Sequence, residues 1–169
     1  QHYDLRPDLL CLAKSIAGGL PMGATLMGER LGQLPPHIHG STFGGNPLAC
    51  AASLAALAEM ERLGLPARAA ENGAYFMERL QAINSPLIRQ VRGLGLLVGV
   101  ELKAKSAPFL QALMQQGVLA LSAGMNVIRF LPPLVITREQ LDLVVDALAR
   151  VLAQPVEETA RERQEIGYS

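Results

Sequence analysis

Residues 7–24 read PDLLCLAKSIAGGLPMGA. An apolar run, Leu9 to Ala13, follows Asp8 and stops at a single lysine, Lys14. A glycine-rich turn, Ala17-Gly18-Gly19, comes next, and a second apolar run, Met22 to Met27, follows Pro21. Short apolar runs bounded by turn residues read as strands, and Leu9–Ala13 reads as a buried parallel strand. From Leu9 to Ala58 the only charges are Lys14, Glu29 and Arg30, too few for an ordinary solvated surface. Two readings of Lys14 stay open on spacing alone. Its stem could pack while the ammonium reaches water. Alternatively, burial could disfavour the charged form and leave a nucleophilic amine able to condense with an aldehyde.

Outward from this stretch, Pro35 to Pro47 is a loop rich in Gly, Pro, Ser and Asn, and Pro47 opens a helix at its first position. That helix runs to about Leu63 and stops at Gly64. Its first turns are apolar on every side, which predicts burial. A second, amphipathic helix spans Pro66 to about Ile83, with Gly73, Phe76, Met77 and Leu80 on one stripe. Leu87–Val91 and Leu94–Leu102 read as strands broken at Gly93. Ser106 caps a helix that ends at Gly117, Val118–Leu121 and Val127–Leu131 read as short strands, and Thr137 caps a last helix with Leu141, Val144, Val145, Leu148 and Leu152 at helical spacing. Alternating strands and helices predict an α/β architecture. Residues 1–64 read as the end of a large α/β domain, 65–154 as a small α/β domain, and 155–169, which hold six charges, as a disordered tail.

Composition bounds the function. The 169 residues carry 15 Lys plus Arg and 15 Asp plus Glu, a formal net charge of zero. Neutrality argues against nucleic acid and anionic membranes as partners. The longest strongly apolar run, Leu48–Ala58, is too short for a bilayer, which takes about 20 residues. Cys11 and Cys50 sit in apolar segments and read as reduced and cytosolic. The apolar share is 50% and the charged share 18%. So oily a chain, starting at Gln1 rather than Met, reads as a fragment of a longer protein.

Two further motifs carry chemistry. HGSTFGGNP, His39 to Pro47, offers the hydroxyls of Ser41 and Thr42, two glycines that let backbone approach an anion, and a helix N-terminus that favours negative charge. Taken alone, that string reads as an ordinary turn with Asn46 as helix cap. Arg129, in VIRFLPPLVI, is the only charge between Lys105 and Arg138. A guanidinium there needs a carboxylate, from the protein as a buried ion pair or from a ligand. His37 and His39 lack companion ligands and read as loop residues, so no metal is expected. Arg92 and Glu101 flank VRGLGLLVGVEL and read as structural, as solvated charges or a local pair.

Taken together, the Lys14 segment, with Pro7, Asp8, Gly18, Gly19, Pro21, Gly23 and Ala24, the HGSTFGGNP loop and the Arg129 segment resemble the class III aminotransferases. The similarity runs from about Tyr3 to Leu152. Within that family, the acetylornithine branch and its relative acting on substrates carried by the protein LysW are most alike. The resemblance implies the fold-type I fold of enzymes that use pyridoxal 5'-phosphate (PLP), here the end of the large domain plus the small C-terminal domain. It also implies a cytoplasmic homodimer with active sites shared across the interface. It makes Lys14 the lysine that holds PLP and shuttles a proton, and Thr42 the ligand of the PLP phosphate of the neighbouring subunit. Ser41 would contact substrate, and Arg129 would clamp its α-carboxylate. The implied reaction moves the terminal amino group of N-acetylornithine or LysW-γ-lysine to 2-oxoglutarate. Ornithine or 4-aminobutyrate aminotransferases, an aminomutase, and a non-catalytic α/β chain remain as alternatives. An aspartate that pairs with the PLP ring nitrogen belongs to the family pattern but not to these 169 residues.

Overall fold

A computed structural model of the chain describes residues 2–32, 34–36, 38 and 40–153. The expectations placed on His37, His39 and 155–169 lie outside the described residues. The chain divides into two compact units, 1–64 and 65–169.

In the first unit, strands β1 (Leu9–Leu12) and β2 (Ala24–Met27) pair antiparallel, with Leu9 opposite Met27 and Leu12 opposite Ala24. The parallel pairing expected for Leu9–Ala13 is thus corrected. A 3-10 turn over Lys14–Ala17, then Gly18 (φ 62°) and Gly19 (φ 116°), reverses the chain, so the second strand returns beside the first. The expected burial is corrected too: Leu9, Leu10, Leu12, Leu26 and Met27 are exposed, because two strands alone bury neither face. Asp8 pairs with Arg30 at 2.7 Å, and its carbonyl accepts the N–H of Gly28.

Helix α1 (Pro47–Arg62) starts as the sequence predicts. Pro47 sits in the first turn, and Asn46 Oδ1 accepts the N–H of Ala49 at 2.9 Å. The chain leaves the helix at Leu63 and turns at Gly64 (φ 58°). Burial on all sides is not observed. Ala49 and Ser53 are buried, the 3-10 turn with its buried Ala17 packs against the helix, and Leu48, Leu54 and Leu57 stand exposed.

The second unit holds a sheet of order β3-β4-β6-β5, every neighbouring pair antiparallel. Its strands are β3 (Ile88–Leu94), β4 (Leu97–Leu102), β5 (Leu121–Ser122) and β6 (Val127–Phe130), and its helices are α2 (Leu65–Gln81), α3 (Ala107–Gln115) and α4 (Arg138–Ala153). Strand alternation aims Val98, Val100, Leu102, Ile128 and Phe130 at the helices, where they meet Phe76 and Leu80 of α2, Phe109 and Leu113 of α3, and Leu141, Val145 and Leu148 of α4 in one core. Phe76 and Phe130 contact edge to face, centroids 5.6 Å apart.

Details differ from the sequence reading. The β3–β4 break falls at Gly95 and Leu96, because Gly93 stays in register opposite Val98. Gly73 permits α2 to touch that turn: a Cβ there would lie 2.1 Å from the Gly95 carbonyl oxygen. Ser106 sits at the start of α3 without capping it, because its hydroxyl donates to the Met125 carbonyl at 3.2 Å. The strand placed at Val118–Leu121 is only Leu121–Ser122. Thr137 does cap α4: its Oγ1 accepts the N–H of Gln140, whose Oε1 accepts the N–H of Thr137, a reciprocal box. Between α2 and α4, the Tyr75 hydroxyl donates to Asp142 at 2.8 Å and Arg79 donates to it at 3.0 Å, while Arg138 lies over the Tyr75 ring. The hydrogen bond from Tyr75, then that from Arg79, holds the Asp142 carboxyl below its ordinary value.

Candidate active site

Lys14 opens the 3-10 turn directly after β1, and its backbone is left-handed, φ 61°. L-residues other than Asn and Asp seldom adopt that region, at a cost of about 1–2 kcal/mol, so it recurs where a side chain must be aimed. Strand β1 brings the chain to this point, and Gly18 and Gly19 carry it away. The expectation that Lys14 is withdrawn from water is corrected for this chain: the residue is exposed, because the strands on either side of it are uncovered as well.

The loop before α1 is built from its own groups. Ser41 Oγ accepts the N–H of Gly44 at 3.1 Å, and the Asn46 amide donates to the Phe43 carbonyl at 3.0 Å. Gly44 passes so near Ser41 that a Cβ there would lie 2.9 Å from Ser41 Cβ, and Gly45 is left-handed at φ 68°. A cavity of about 410 Å³ joins this loop to the turn after Lys14; Pro21, Gly23, Ser41, Phe43, Gly45 and Asn46 are among its lining residues. Thr42 is exposed, and its hydroxyl makes no hydrogen bond among the described residues. An exposed hydroxyl beside glycine backbone at a helix N-terminus suits a phosphate presented from outside the chain. The Ser41 lone pair used by Gly44 leaves its O–H free to donate. Phe43, 82% exposed, carries no expectation from the sequence; its signal is an aromatic ring set in a glycine loop.

Arg129 belongs to the other unit, on β6. Its register partners are Gly99 on β4 and Leu121 on β5. The core residues Ile128 and Phe130 flank it, so Arg129 faces away from the helices. Its Nε is closed off from solvent and has no hydrogen-bond partner. No buried ion pair to Arg129 is present among the described residues. Glu101, on the neighbouring strand β4, is engaged by other arginines, Arg92 at 2.6 Å and Arg89 at 3.1 Å. The hydrogen bond from Arg92 is the main reason the Glu101 carboxyl sits below its ordinary value. The local-pair reading of Arg92 and Glu101 therefore holds, with Arg89 added.

Both cysteines are unpaired, Cys11 exposed and Cys50 partly buried. No group of three or more metal-ligating side chains occurs among the described residues, and no helix there is long and apolar enough to cross a membrane.

Comparison with known proteins agrees with this assembly of motifs. The family model for class III aminotransferases matches residues 1–152. The chain is 54% identical over 154 residues to a [LysW]-aminoadipate semialdehyde transaminase of Deinococcus radiodurans, covering 90% of this chain and 36% of that protein. It is 46% identical over 152 residues to an ornithine aminotransferase of Exiguobacterium sp., covering 89% and 38%. Among solved structures, acetylornithine aminotransferase from Elizabethkingia anophelis superposes with a TM-score of 0.82 at 36% identity, covering 89% of this chain and 42% of that one. Ornithine aminotransferase from Toxoplasma gondii, whose structure has partial occupancy of PLP at its active site, gives 0.82 at 34% identity, covering 96% and 39%. The chain thus spans about two fifths of the length of such relatives. The fold is that of the PLP-dependent aminotransferases, and the chain belongs to the class III aminotransferase family.

Proposed function

We propose that the full-length protein carrying this chain is a PLP-dependent aminotransferase. It transfers the terminal amino group of N-acetylornithine or LysW-γ-lysine to 2-oxoglutarate. One observation carries the reading: in the family's lysine segment, Lys14 is held left-handed at the end of a strand, a costly conformation that aims a single amine. PLP, when bound, supplies an aldehyde that condenses with amines and a ring that takes up the electron pair left on the substrate carbon.

The chain's own residues do the rest. Lys14 Nζ would hold the cofactor and, as a free amine, would take the proton from the amine-bearing carbon of the substrate. The Thr42 hydroxyl donates to the phosphate of the cofactor in the neighbouring subunit, which makes the active enzyme a dimer. Ser41 donates to substrate, and Arg129 meets its carboxylate, satisfying an N–H that is otherwise buried without a partner. The unpaired cysteines suit a cytoplasmic enzyme. A second reading, in which unacylated ornithine is the amino donor, is favoured by the ornithine aminotransferases at 46% identity.

Lys14→Ala in the full-length enzyme is expected to abolish the yellow absorption of bound cofactor and to lower kcat by about 10²–10⁴-fold. A borohydride-reducible covalent cofactor adduct persisting in that variant would falsify the assignment. Product mass analysis with N-acetylornithine, LysW-γ-lysine and ornithine as competing donors separates the two substrate readings.

A further inference from the structure

Three glycines lie in the β3–β4 hairpin, and two have backbone reasons. A Cβ at Gly93 would lie 2.5 Å from the Leu97 carbonyl oxygen, and Gly95 is left-handed at φ 54°. Gly99 has neither reason. Its φ is not positive, and a Cβ would meet only Val127 Cγ1 at 3.4 Å and the Arg92 carbonyl oxygen at 3.8 Å, ordinary contacts. Glycine inside a strand costs about 0.5–1 kcal/mol relative to alanine, so its presence calls for another explanation.

The register supplies one. Arg92, Gly99, Arg129 and Leu121 form a single cross-strand row on the face away from the helices. The missing side chain leaves bare backbone between two guanidinium-bearing positions. Arg92 is neutralised by Glu101, whereas Arg129 keeps a buried N–H without an acceptor.

We infer that Gly99 is a specificity-determining position: the space its absent side chain leaves beside Arg129 admits the carboxylate end of the substrate. The substrates it selects for are extended-chain amino and keto acids with a free carboxylate. The inference rests on the reading of Arg129 given above and deepens it. An alanine methyl takes up part of that space, and a valine side chain more of it.

The test uses the full-length, cofactor-loaded enzyme with Gly99→Ala, Gly99→Val and Arg129→Gln. Glutarate, an unreactive dicarboxylate, is titrated by calorimetry, and KM for 2-oxoglutarate is measured beside it. Hydroxylamine, an amine without a carboxylate, reports access to the bound cofactor. Gly99→Val is expected to weaken glutarate and raise KM by about tenfold, and Gly99→Ala by about threefold. The hydroxylamine rate should stay within about twofold, and the melting temperature of Gly99→Ala should be no lower than the parent's. An unchanged glutarate affinity in Gly99→Val, with Arg129→Gln weakened, overturns the role of Gly99 alone. Equal loss of glutarate binding and hydroxylamine reactivity overturns it as well, by marking a general structural effect. Unchanged affinity in Arg129→Gln overturns the Arg129 reading and this inference together.

Discussion

At the scale of residues, the molecule spends conformational and polar strain at particular side chains. Lys14 holds a left-handed backbone, and Arg129 holds a buried N–H without an acceptor. The sequence singled out both because each is an isolated charge in an apolar stretch. Asn46 and Thr137 were legible as caps because a short polar side chain before a helical pattern has few other uses. Ser106 was not, since its competing acceptor, the Met125 carbonyl, comes from a distant segment. Asp142 gives a pH prediction. Its carboxyl is lowered in the folded state by Tyr75, then Arg79. Its contribution is complete above the ordinary carboxylate value of about 4 and is lost as pH falls through the lowered value. Asp142→Asn should therefore flatten the acid side of the stability–pH curve in denaturant titrations. An acid limb identical to the parent's would show that the Tyr75–Asp142–Arg79 link contributes nothing.

At the scale of elements, periodicity located the helices well, because α2 and α4 each bury one face. The strands were harder. A short apolar run has the same pattern whether its partner runs parallel or antiparallel, so β1 could not be oriented from its composition. Nor could the sequence reveal that β1, β2 and much of α1 lie uncovered in this chain, since burial depends on which other elements are present. The close approach of α2 to the β3–β4 turn was equally hidden, although Gly73 was assigned to the buried stripe. With the Gly95 carbonyl 2.1 Å from the position of a Cβ, Gly73→Ala must push a helix off a turn. Its expected cost is about 3 kcal/mol or more, read as a lowered urea midpoint. A loss under about 1 kcal/mol would mean that the turn yields freely.

At the scale of the whole molecule, the two units differ in how much apolar surface they retain. The second unit encloses a continuous core. The first leaves Leu9, Leu10, Leu26, Leu48 and Leu54 exposed. Hydrogen exchange on the isolated 169-residue chain should show slow amides in β4, β6 and α4 and fast amides in β1 and β2. Equal protection in the two units would contradict this contrast. The same chain, which spans about two fifths of the length of its relatives, should show no transaminase activity with PLP, donor and 2-oxoglutarate.

Asn72 has a consequence beyond its own helix. Buried on α2, it donates its amide to the Ile136 carbonyl at 3.0 Å, at the far end of the loop that leaves the Arg129 strand through Pro132 and Pro133. Exposed neighbours such as Leu131 and Val135 can change in this chain without stranding a buried polar partner. Position 72 cannot: a leucine would match the oily surroundings yet strand a carbonyl, and an aspartate would set a negative charge against it. The anchorage of this loop is therefore supplied from a helix some sixty residues earlier in the chain.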